Sequence, residues 1–269
     1  MIDKMLTLTL VIPVYNEQDH IKACLDAIAA QYEAPLEVLV VDNNSTDNSV
    51  AIAKTFPFVT VLHAHEQGIA YARNVGFNAA RGDIIGRIDA DSRIPRHWVR
   101  HVRSYIEKYP NHLLTGGSYF YDLKLPKFFG WIQGQIAFRT NRFIMGYYIA
   151  WGSNMAFNKK LWDDVKNEVH NLPTIHEDMD LAIHLHEHGY KITYQAGLKV
   201  GVDSRLLSAK RDTRAKHMIY LKMWPRTLYL HKLKRAWLGW VGVYVVYGGY
   251  YFVFFLNFVS GLFGGKSSN

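Results

Sequence analysis

The sequence contains a single cysteine, Cys24, among its 269 residues. One cysteine cannot form an internal disulfide, which excludes a small fold held together by disulfide bonds. Cys24 follows the helical spacing of Ile21, Leu25 and Ile28, a pattern typical of a small buried residue in a reducing compartment. The sequence therefore gives no support for a redox function.

Internal repeats, glycine and serine linkers and low-complexity tracts are also missing. Asp3 and Lys4 lead directly into a short apolar run of strand length, so we expect no signal peptide before the domain. Hydrophobic residues make up 49% of the chain. That proportion is enough for the core of one large domain, or of a domain with an appendage.

Negative charge is scarce between Arg205 and Arg235, a stretch that contains ten lysines and arginines but only one acid, Asp212. The formal charge of +8 alone would be compatible with a nucleic-acid partner. However, the basic residues are concentrated in this stretch instead of being spread over the chain. We therefore expect no nucleic-acid partner and predict that residues 205–235 are a basic juxtamembrane segment.

The thirty residues from Ala236 to Gly265 contain no charge at all. As a helix they would extend about 45 Å, more than the roughly 30 Å hydrocarbon core of a bilayer. Trp237 and Trp240 beside basic residues are typical of an interfacial anchor, with the basic side in the cytoplasm. We predict a transmembrane or membrane-embedded segment over residues 236–265 and a catalytic domain on the cytoplasmic face. The glycines at positions 239, 242, 248 and 249 leave a re-entrant or in-plane hairpin open. A buried soluble helix is disfavoured because no polar face exists.

Strand and helix patterns alternate through the first ninety residues. The predicted strands are Leu6–Val14, Glu37–Val41, Val59–Leu62 and Asp83–Ile88, with helices opening at Asn16, Asn48 and Tyr71. This order predicts an α/β fold with a mainly parallel, doubly wound sheet. In such sheets ligands bind beyond the carboxyl ends of the strands.

The second half of the sequence is less regular. We predict helices over residues 95–109 and 177–188 and a strand over residues 115–121. Met179, Ala182, Ile183 and His186 are expected on the inward face of the second helix. Residues 125–154 interleave aromatic and basic side chains, and either a core helix or an amphipathic helix on a membrane surface fits that pattern.

Asp42, Asp89 and Asp91 each follow a predicted strand, at the edge where ligands bind. A turn or a helix cap could explain one such residue. Three carboxylates on one edge repel one another unless a cation or ligand hydroxyls lie between them. Mg²⁺ or Mn²⁺ is commonly held by one or two carboxylates plus substrate phosphates. The pattern therefore predicts a divalent cation and a nucleoside diphosphate partner.

Five motifs occur in one order along the chain between Leu6 and Val202. They are VIPVYNEQDHIKACLDAI, VVDNNSTDNS, GIAYARNVGFNAARGDIIGRIDADS, GSNMAF and HEDMDL. In this order the sequence resembles glycosyltransferase family 2, inverting enzymes of the GT-A fold that use nucleotide-activated sugars. The resemblance implies a GT-A domain with a mixed, mainly parallel sheet over residues 1–204.

The resemblance also implies a role for each motif. Asp178 would be the catalytic base and Asp91 the ligand of Mg²⁺ or Mn²⁺. The nucleotide and donor would be bound by Pro13, Tyr15, Glu17, Asp42, Arg73, Asp89 and Asp91. The donor-sugar and acceptor side would comprise Gly152, Ser153, Asn154 and Glu177. The diphosphate-binding candidates are Arg205, Lys210, Arg211 and Arg214, although RDTRAKH does not reproduce the Gln-x-x-Arg-Trp pattern of processive synthases.

These roles indicate a metal-dependent inverting glycosyltransferase acting on a hydroxyl of a lipid-linked or cell-envelope glycan. An acceptor hydroxyl needs a base, which independently favours a carboxylate such as Asp178; simple helix N-terminal charge is the alternative explanation of that acid. Two other functions remain open: transfer to a polyprenyl phosphate, which needs no base, and nucleotide-sugar binding without catalysis. Nucleotidyl transfer is disfavoured, because the turn Pro13–Glu17 is acidic and lacks the glycine-rich basic loop that such an enzyme needs.

His184 and His188, four residues apart, could suggest a zinc site. The sequence shows no third ligand at suitable spacing, and the H-E-x-x-H pattern is absent. We therefore expect both histidines to be solvated residues on a helix surface.

Overall fold

The computed structural model describes residues 5–122, 126–205 and 211–245, together with residues 248, 252 and 255. The strands are β1 (Leu8–Val14), β2 (Glu37–Asp42), β3 (Val59–His63), β4 (Ile84–Arg87), β5 (His112–Phe120), β6 (Met155–Asn158) and β7 (Lys191–Val202). The helices are α1 (Ile21–Ala29), α2 (Ser49–Ala53), α3 (Ile69–Ala79), α4 (Trp98–Lys108), α5 (Pro126–Met145), α6 (Lys159–Val165), α7 (Glu177–Glu187) and α8 (Arg211–Leu230).

The seven strands form one sheet in the order β3-β2-β1-β4-β6-β5-β7. Strands β1 to β4 are parallel to one another, and β7 is parallel to β5. Among the strands of the described residues, only β6 runs antiparallel, between β4 and β5. This arrangement confirms the predicted mixed, mainly parallel α/β sheet. The strand order reverses between β1 and β4, where a doubly wound sheet opens a crevice for ligands.

Helices cover both faces of the sheet because β1, β2 and β4 are apolar on both faces. On one face, α1 and α4 bury Leu25 and Trp98 against the strands. On the other face, α3, α6 and α7 contribute Phe77, Trp162 and Leu181. The sheet is therefore the middle layer of three, and its strand ends are held rigidly for the loops that follow them.

A third apolar cluster joins α5, α7 and α8 with the residues that follow α8. Phe138 and Ile144 of α5 lie in it with Trp224 and Leu228 of α8. Phe143, on the same part of α5, is exposed. The second half of α5 therefore contributes one face to a core, as the core-helix interpretation expects, and leaves the other face open.

The start of the uncharged C-terminal segment packs against the domain, since Ala236 and Val243 belong to the third cluster. Within the part of the chain that the structure describes, no helix combines the length and the apolar character needed to cross a bilayer. Most of residues 246–265 lie outside the described residues. The membrane-embedded segment therefore stays a prediction.

Candidate active site

The loops after β1 and β2 lie side by side at the carboxyl edge of the sheet. Asn16 (φ 55°) and Asn44 (φ 65°) take left-handed conformations that asparagine tolerates in tight turns. The two loops are tied by hydrogen bonds, because Thr46 N donates to Asn16 Oδ1 at 2.8 Å and Gln18 N donates to Asp47 Oδ2 at 3.0 Å. Glu17 is thereby fixed above the end of β1.

Arg205, 114 residues after Asp91 in the sequence, contacts the acids at this edge of the sheet. Arg93 and Gly201 exchange two backbone hydrogen bonds, of 2.8 and 3.0 Å, which join the loop after β4 to β7. The chain leaving β7 then brings Arg205 back over the site. Its guanidinium donates to both Glu17 carboxylate oxygens, at 2.6 and 2.7 Å, and to Asp91 Oδ2 at 3.1 Å. Residues from three distant segments therefore meet, as their predicted roles require.

The carboxylates at this edge are crowded. Burial raises the pKa of Asp89 to about 6 against the opposing Arg87 guanidinium, and Asp91 and Glu17 add to the rise. Burial likewise raises the pKa of Asp91, although Arg205 opposes it. The Asp89 side chain is 39% exposed and that of Asp91 is 12% exposed, so both can still be reached by a ligand. Partly buried, mutually repelling carboxylates are a donor set that suits a hard divalent cation. The residues present therefore fit Mg²⁺ or Mn²⁺ at Asp91.

Arg87, the last residue of β4, is the electrostatic centre of the site. Its side chain is 1% exposed. Arg87 Nη2 lies 3.3 Å from Asp89 Oδ1 and 3.2 Å from Glu177 Oε1. Arg87 Nη1 donates to Asp178 Oδ1. The guanidinium therefore connects the D-x-D pair with the two acids that begin α7.

Asp178 is held from two sides, because Gly152 N donates to its Oδ2 at 2.7 Å while Arg87 donates to Oδ1. Burial raises the pKa of Asp178 to about 6, with Arg87 opposing. Burial would also raise the pKa of Glu177, but Arg87 and His176 outweigh it and lower that pKa. Two adjacent acids thus differ in basicity, and Asp178 is the stronger base of the pair.

Several predicted site residues have structural contacts. Asp42 Oδ1 accepts from Ser45 N at 3.0 Å, so this carboxylate also shapes the turn after β2. Asn154 Nδ2 donates to the carbonyls of Gly117 and Leu198 at 2.9 and 2.7 Å. Its Oδ1 accepts from Trp98 Nε1 at 2.9 Å. Asn154 is therefore a positioning residue for the segment that carries Gly152.

Arg73 is fully buried, with its NH1 donating to the Glu177 carbonyl at 2.7 Å. This contact positions the start of α7, and the predicted role of Arg73 at the nucleotide stays a prediction. Tyr15 is exposed, Pro13 lies in β1, and Ser153 is buried. The Arg205 side chain is described, whereas the side chains of Arg211 and Arg214, and Lys210 as a whole, lie outside the described residues.

Two charged residues of the site, Arg87 and Asp203, were not predicted from the sequence. Arg87 could have been found, because an arginine inside the buried run DIIGRI requires acidic partners in the interior. The negative charge of Asp203 contributes to the raised pKa of Asp91. The Tyr121 hydroxyl donates to Asp203 Oδ2 at 3.3 Å. No local pattern marks Asp203, because its neighbours come from β5 and from the loop after β4.

The prediction for two histidines was wrong. His184 was expected to be solvated, but it is 7% exposed, and His186, expected to face inward, is exposed. Residues 177–185 are buried without interruption because α7 lies between the sheet and the third cluster. His188 is exposed as expected and bonds to Glu168.

Comparison with known proteins identifies the class. The family model described as glycosyl transferase family 2 matches residues 9–166. The chain is 36% identical over 91 residues to the uncharacterized glycosyltransferase YibD of Escherichia coli, covering 32% of this chain and 26% of that protein. It is 29% identical over 133 residues to glycosyltransferase GlyG of Streptococcus pneumoniae, covering 48% of this chain and 44% of that protein.

Among solved structures, mannosyltransferase PcManGT from Pyrobaculum calidifontis, in complex with GDP-Man and Mn²⁺, superposes with a TM-score of 0.66. The two chains are 20% identical, and the match covers 85% of this chain and 65% of that one. At this identity the likeness shows a shared fold, that of the GT-A glycosyltransferases.

The chain thus has the fold of the GT-A glycosyltransferases. More particularly, the chain belongs to glycosyl transferase family 2, because the family match spans more than half of its length. The chain spans less than half of the length of the two curated relatives named above.

Proposed function

We propose that the protein is a metal-dependent, inverting glycosyltransferase that uses a nucleoside-diphosphate sugar and acts on a hydroxyl of a lipid-linked or cell-envelope glycan. The observation that carries the proposal is the bridge formed by Arg87, which contacts Asp178 on one side and Asp89 on the other. The bridge joins a carboxylate suited to act as a base to the acids of the donor site.

The reaction would be a single displacement. The Asp178 carboxylate takes the proton of the acceptor hydroxyl as its oxygen bonds to the anomeric carbon. The bond from that carbon to the diphosphate oxygen breaks, and the nucleoside diphosphate leaves with the electron pair. A single displacement inverts the anomeric configuration. Each carboxylate oxygen has two lone pairs, so the bonds from Arg87 and Gly152 leave Asp178 able to accept a proton.

The donor site is supported by the carboxylates of Glu17, Asp89 and Asp91 at the strand edge. A Mg²⁺ or Mn²⁺ ion held at Asp91 would offset the negative charge that develops on the departing diphosphate. The mannosyltransferase of similar fold is in complex with GDP-Man and Mn²⁺, which supports a nucleotide-sugar donor and a divalent cation for this protein. Arg205 is suited to release Asp91 and to face the diphosphate once a cation is bound.

The acceptor side is supported by a groove of about 570 Å³ between α5, β7 and the residues after α8. Its lining combines aromatic side chains with Arg139, Arg142 and Arg235. Phe138, in this lining, has its ring centroid 5.5 Å from that of Trp151, the residue before Gly152. Cationic and aromatic groups suit an acceptor that carries a phosphate group on an apolar chain. We propose that the protein is attached to the membrane, with its catalytic domain on the cytoplasmic face.

Replacing the base tests the proposal. In Asp178→Asn, kcat for release of free nucleotide should fall by about 10²- to 10⁴-fold, because the amide cannot take the proton. Affinity for the nucleoside diphosphate should be retained. The measurement is turnover across a panel of nucleotide sugars with acceptor-containing membrane extracts, beside calorimetric titration of the nucleotide.

Two outcomes would contradict the proposal. Near-normal turnover of Asp178→Asn would indicate an acceptor that needs no base, such as a polyprenyl phosphate. Absence of nucleotide release by the unmodified protein across the whole panel would indicate a binding protein without catalysis.

A further inference from the structure

Four side chains with metal-ligating atoms converge on the far side of α7 from the sheet edge. They are His170, Asp180, His184 and His231, and one ligand atom of each lies within 4.8 Å of the others. His170 follows α6, Asp180 and His184 lie one turn apart on α7, and His231 follows α8. The four residues thus come from three separate parts of the chain.

The distances within this cluster are close to those of a tetrahedral site. Asp180 Oδ1 lies 2.8 Å from His170 Nδ1, 2.8 Å from His231 Nε2 and 3.7 Å from His184 Nε2. His184 Nε2 lies 3.5 Å from His170 Nδ1. Ligand bonds of about 2.0–2.1 Å in tetrahedral geometry place neighbouring ligand atoms about 3.3 Å apart. Small side-chain rotations would bring all four atoms onto one ion.

Burial and charge also suit a metal. The side chains of Asp180, His231 and His184 are 0%, 5% and 9% exposed, and that of His170 is 36% exposed. Asp180 Oδ2 accepts from His170 N at 2.8 Å, which orients Oδ1 toward the three rings.

Two further carboxylates lie near the ring nitrogen of His184 that points away from Asp180. The buried Nδ1 of His184 makes no hydrogen bond within the described residues. Glu187 and Glu168 carboxylate oxygens lie 3.5 and 3.7 Å from it. A carboxylate behind a ligating imidazole orients the ring and increases its basicity in metal sites.

We propose that His170, Asp180, His184 and His231 form a structural zinc site, separate from the cation site at Asp91. Three imidazoles and one carboxylate are a common donor set for Zn²⁺, and four protein ligands leave no open position for substrate. The ion would join the end of α8 to α7, whose first turn carries Glu177 and Asp178. This site does not depend on the proposed reaction.

Metal content of the purified full-length protein tests the site. The protein is incubated with Zn²⁺, passed over a desalting column and analysed by plasma mass spectrometry. About one zinc per chain is expected in the unmodified protein, and about a tenfold loss or more in His184→Gln and His231→Gln. Removal of zinc with a chelator should lower the melting temperature of the unmodified protein.

Two controls separate this site from others. His186→Gln changes an exposed histidine on the same helix, and Asp91→Ala removes the ligand at the sheet edge; both should keep the zinc. A substitution at a buried ligand could prevent folding, which circular dichroism would show. His170→Ala changes the most exposed of the four ligands and is therefore the variant to use in that case. Zinc well below one per chain in the unmodified protein, or full zinc in folded His170→Ala and His184→Gln, would show that the cluster is a hydrogen-bonded network without a metal.

Discussion

A single buried arginine organises the acids of this site. The buried Arg87 contacts the buried acids Glu177 and Asp178 and the partly exposed Asp89. Burying a charge has a large desolvation cost, and the cost is offset only while each partner is present. The stability of the domain and the basicity of Asp178 therefore depend on the same guanidinium.

Removing that charge should destabilise the protein strongly. In Arg87→Met, the carboxylates of Glu177 and Asp178 stay buried without their cation, so the free energy of unfolding should fall by about 3–5 kcal/mol. Urea denaturation followed by circular dichroism measures the change. Lys22→Met, which breaks an exposed pair with Asp26, is the control and should change stability by less than about 0.5 kcal/mol. If the two substitutions lowered the free energy of unfolding equally, the buried Arg87 cluster would contribute no more to stability than an exposed ion pair.

The cation site makes a different prediction. In Asp91→Ala, binding of uridine or guanosine diphosphate should lose its dependence on Mn²⁺, and turnover should be lost with it. Calorimetric titration with and without Mn²⁺ measures this, with Asp178→Asn as the variant that keeps metal-dependent binding. Metal-dependent binding of unchanged strength in Asp91→Ala would assign the cation to other ligands.

At the scale of elements, the segment between α5 and β6 has to pass very close to α7. A Cβ on Gly152 would lie 2.5 Å from Arg87 Cζ and 2.5 Å from Asp178 Oδ2. Both atoms belong to buried groups that are held by their partners, so there is little room for them to move. The glycine is therefore required for the approach of this segment to the base.

Gly152→Ala should displace Asp178 and lower kcat by about 10²-fold, the effect of moving a catalytic group by about 1 Å. Steady-state kinetics with the best donor measures the loss. Gly197→Ala is a matched control and should leave kcat unchanged, because apart from its chain neighbours no atom of the described residues lies within 4 Å of the added Cβ. A Gly152→Ala enzyme with unchanged kcat would show that the contact tolerates the methyl group.

The elements with clear local patterns could be predicted from the sequence, and those defined by distant partners could not. Strands β1 to β4 are continuous apolar runs followed by polar turns, so their ends located Asp42, Asp89 and Asp91 correctly on one edge. Strand β6 has four residues and is stabilised by pairing with β4 and β5, which no local pattern reveals. The histidine cluster was missed for the same reason, since His170 and His231 reach α7 only through the tertiary fold.

For the whole molecule, the C-terminal region combines a domain contact with an exposed apolar surface. Trp237, Trp240 and Tyr244 are exposed beside the residues that pack on α8. Basic side chains of the preceding segment add attraction to anionic lipids, which salt screens. Insertion of the uncharged segment into lipid is not screened in the same way.

Vesicle flotation at two salt concentrations tests this attachment. The full-length chain should float with anionic vesicles at low salt and at about 1 M salt, because hydrophobic insertion persists when charges are screened. A chain ending at Val245 should float only at low salt. Release of the full-length chain by high salt would show that the attachment is electrostatic alone.

The proposed reaction depends on a divalent cation that binds at the end of β4 and offsets charge on the nucleoside diphosphate. The most direct measurement is an anomalous difference map from crystals soaked with Mn²⁺ and uridine or guanosine diphosphate. The expected result is a manganese peak bonded to the Asp91 carboxylate, with the diphosphate beside it and Arg205 turned away from Asp91. A manganese peak and a nucleotide found only away from Asp89 and Asp91 would contradict the account.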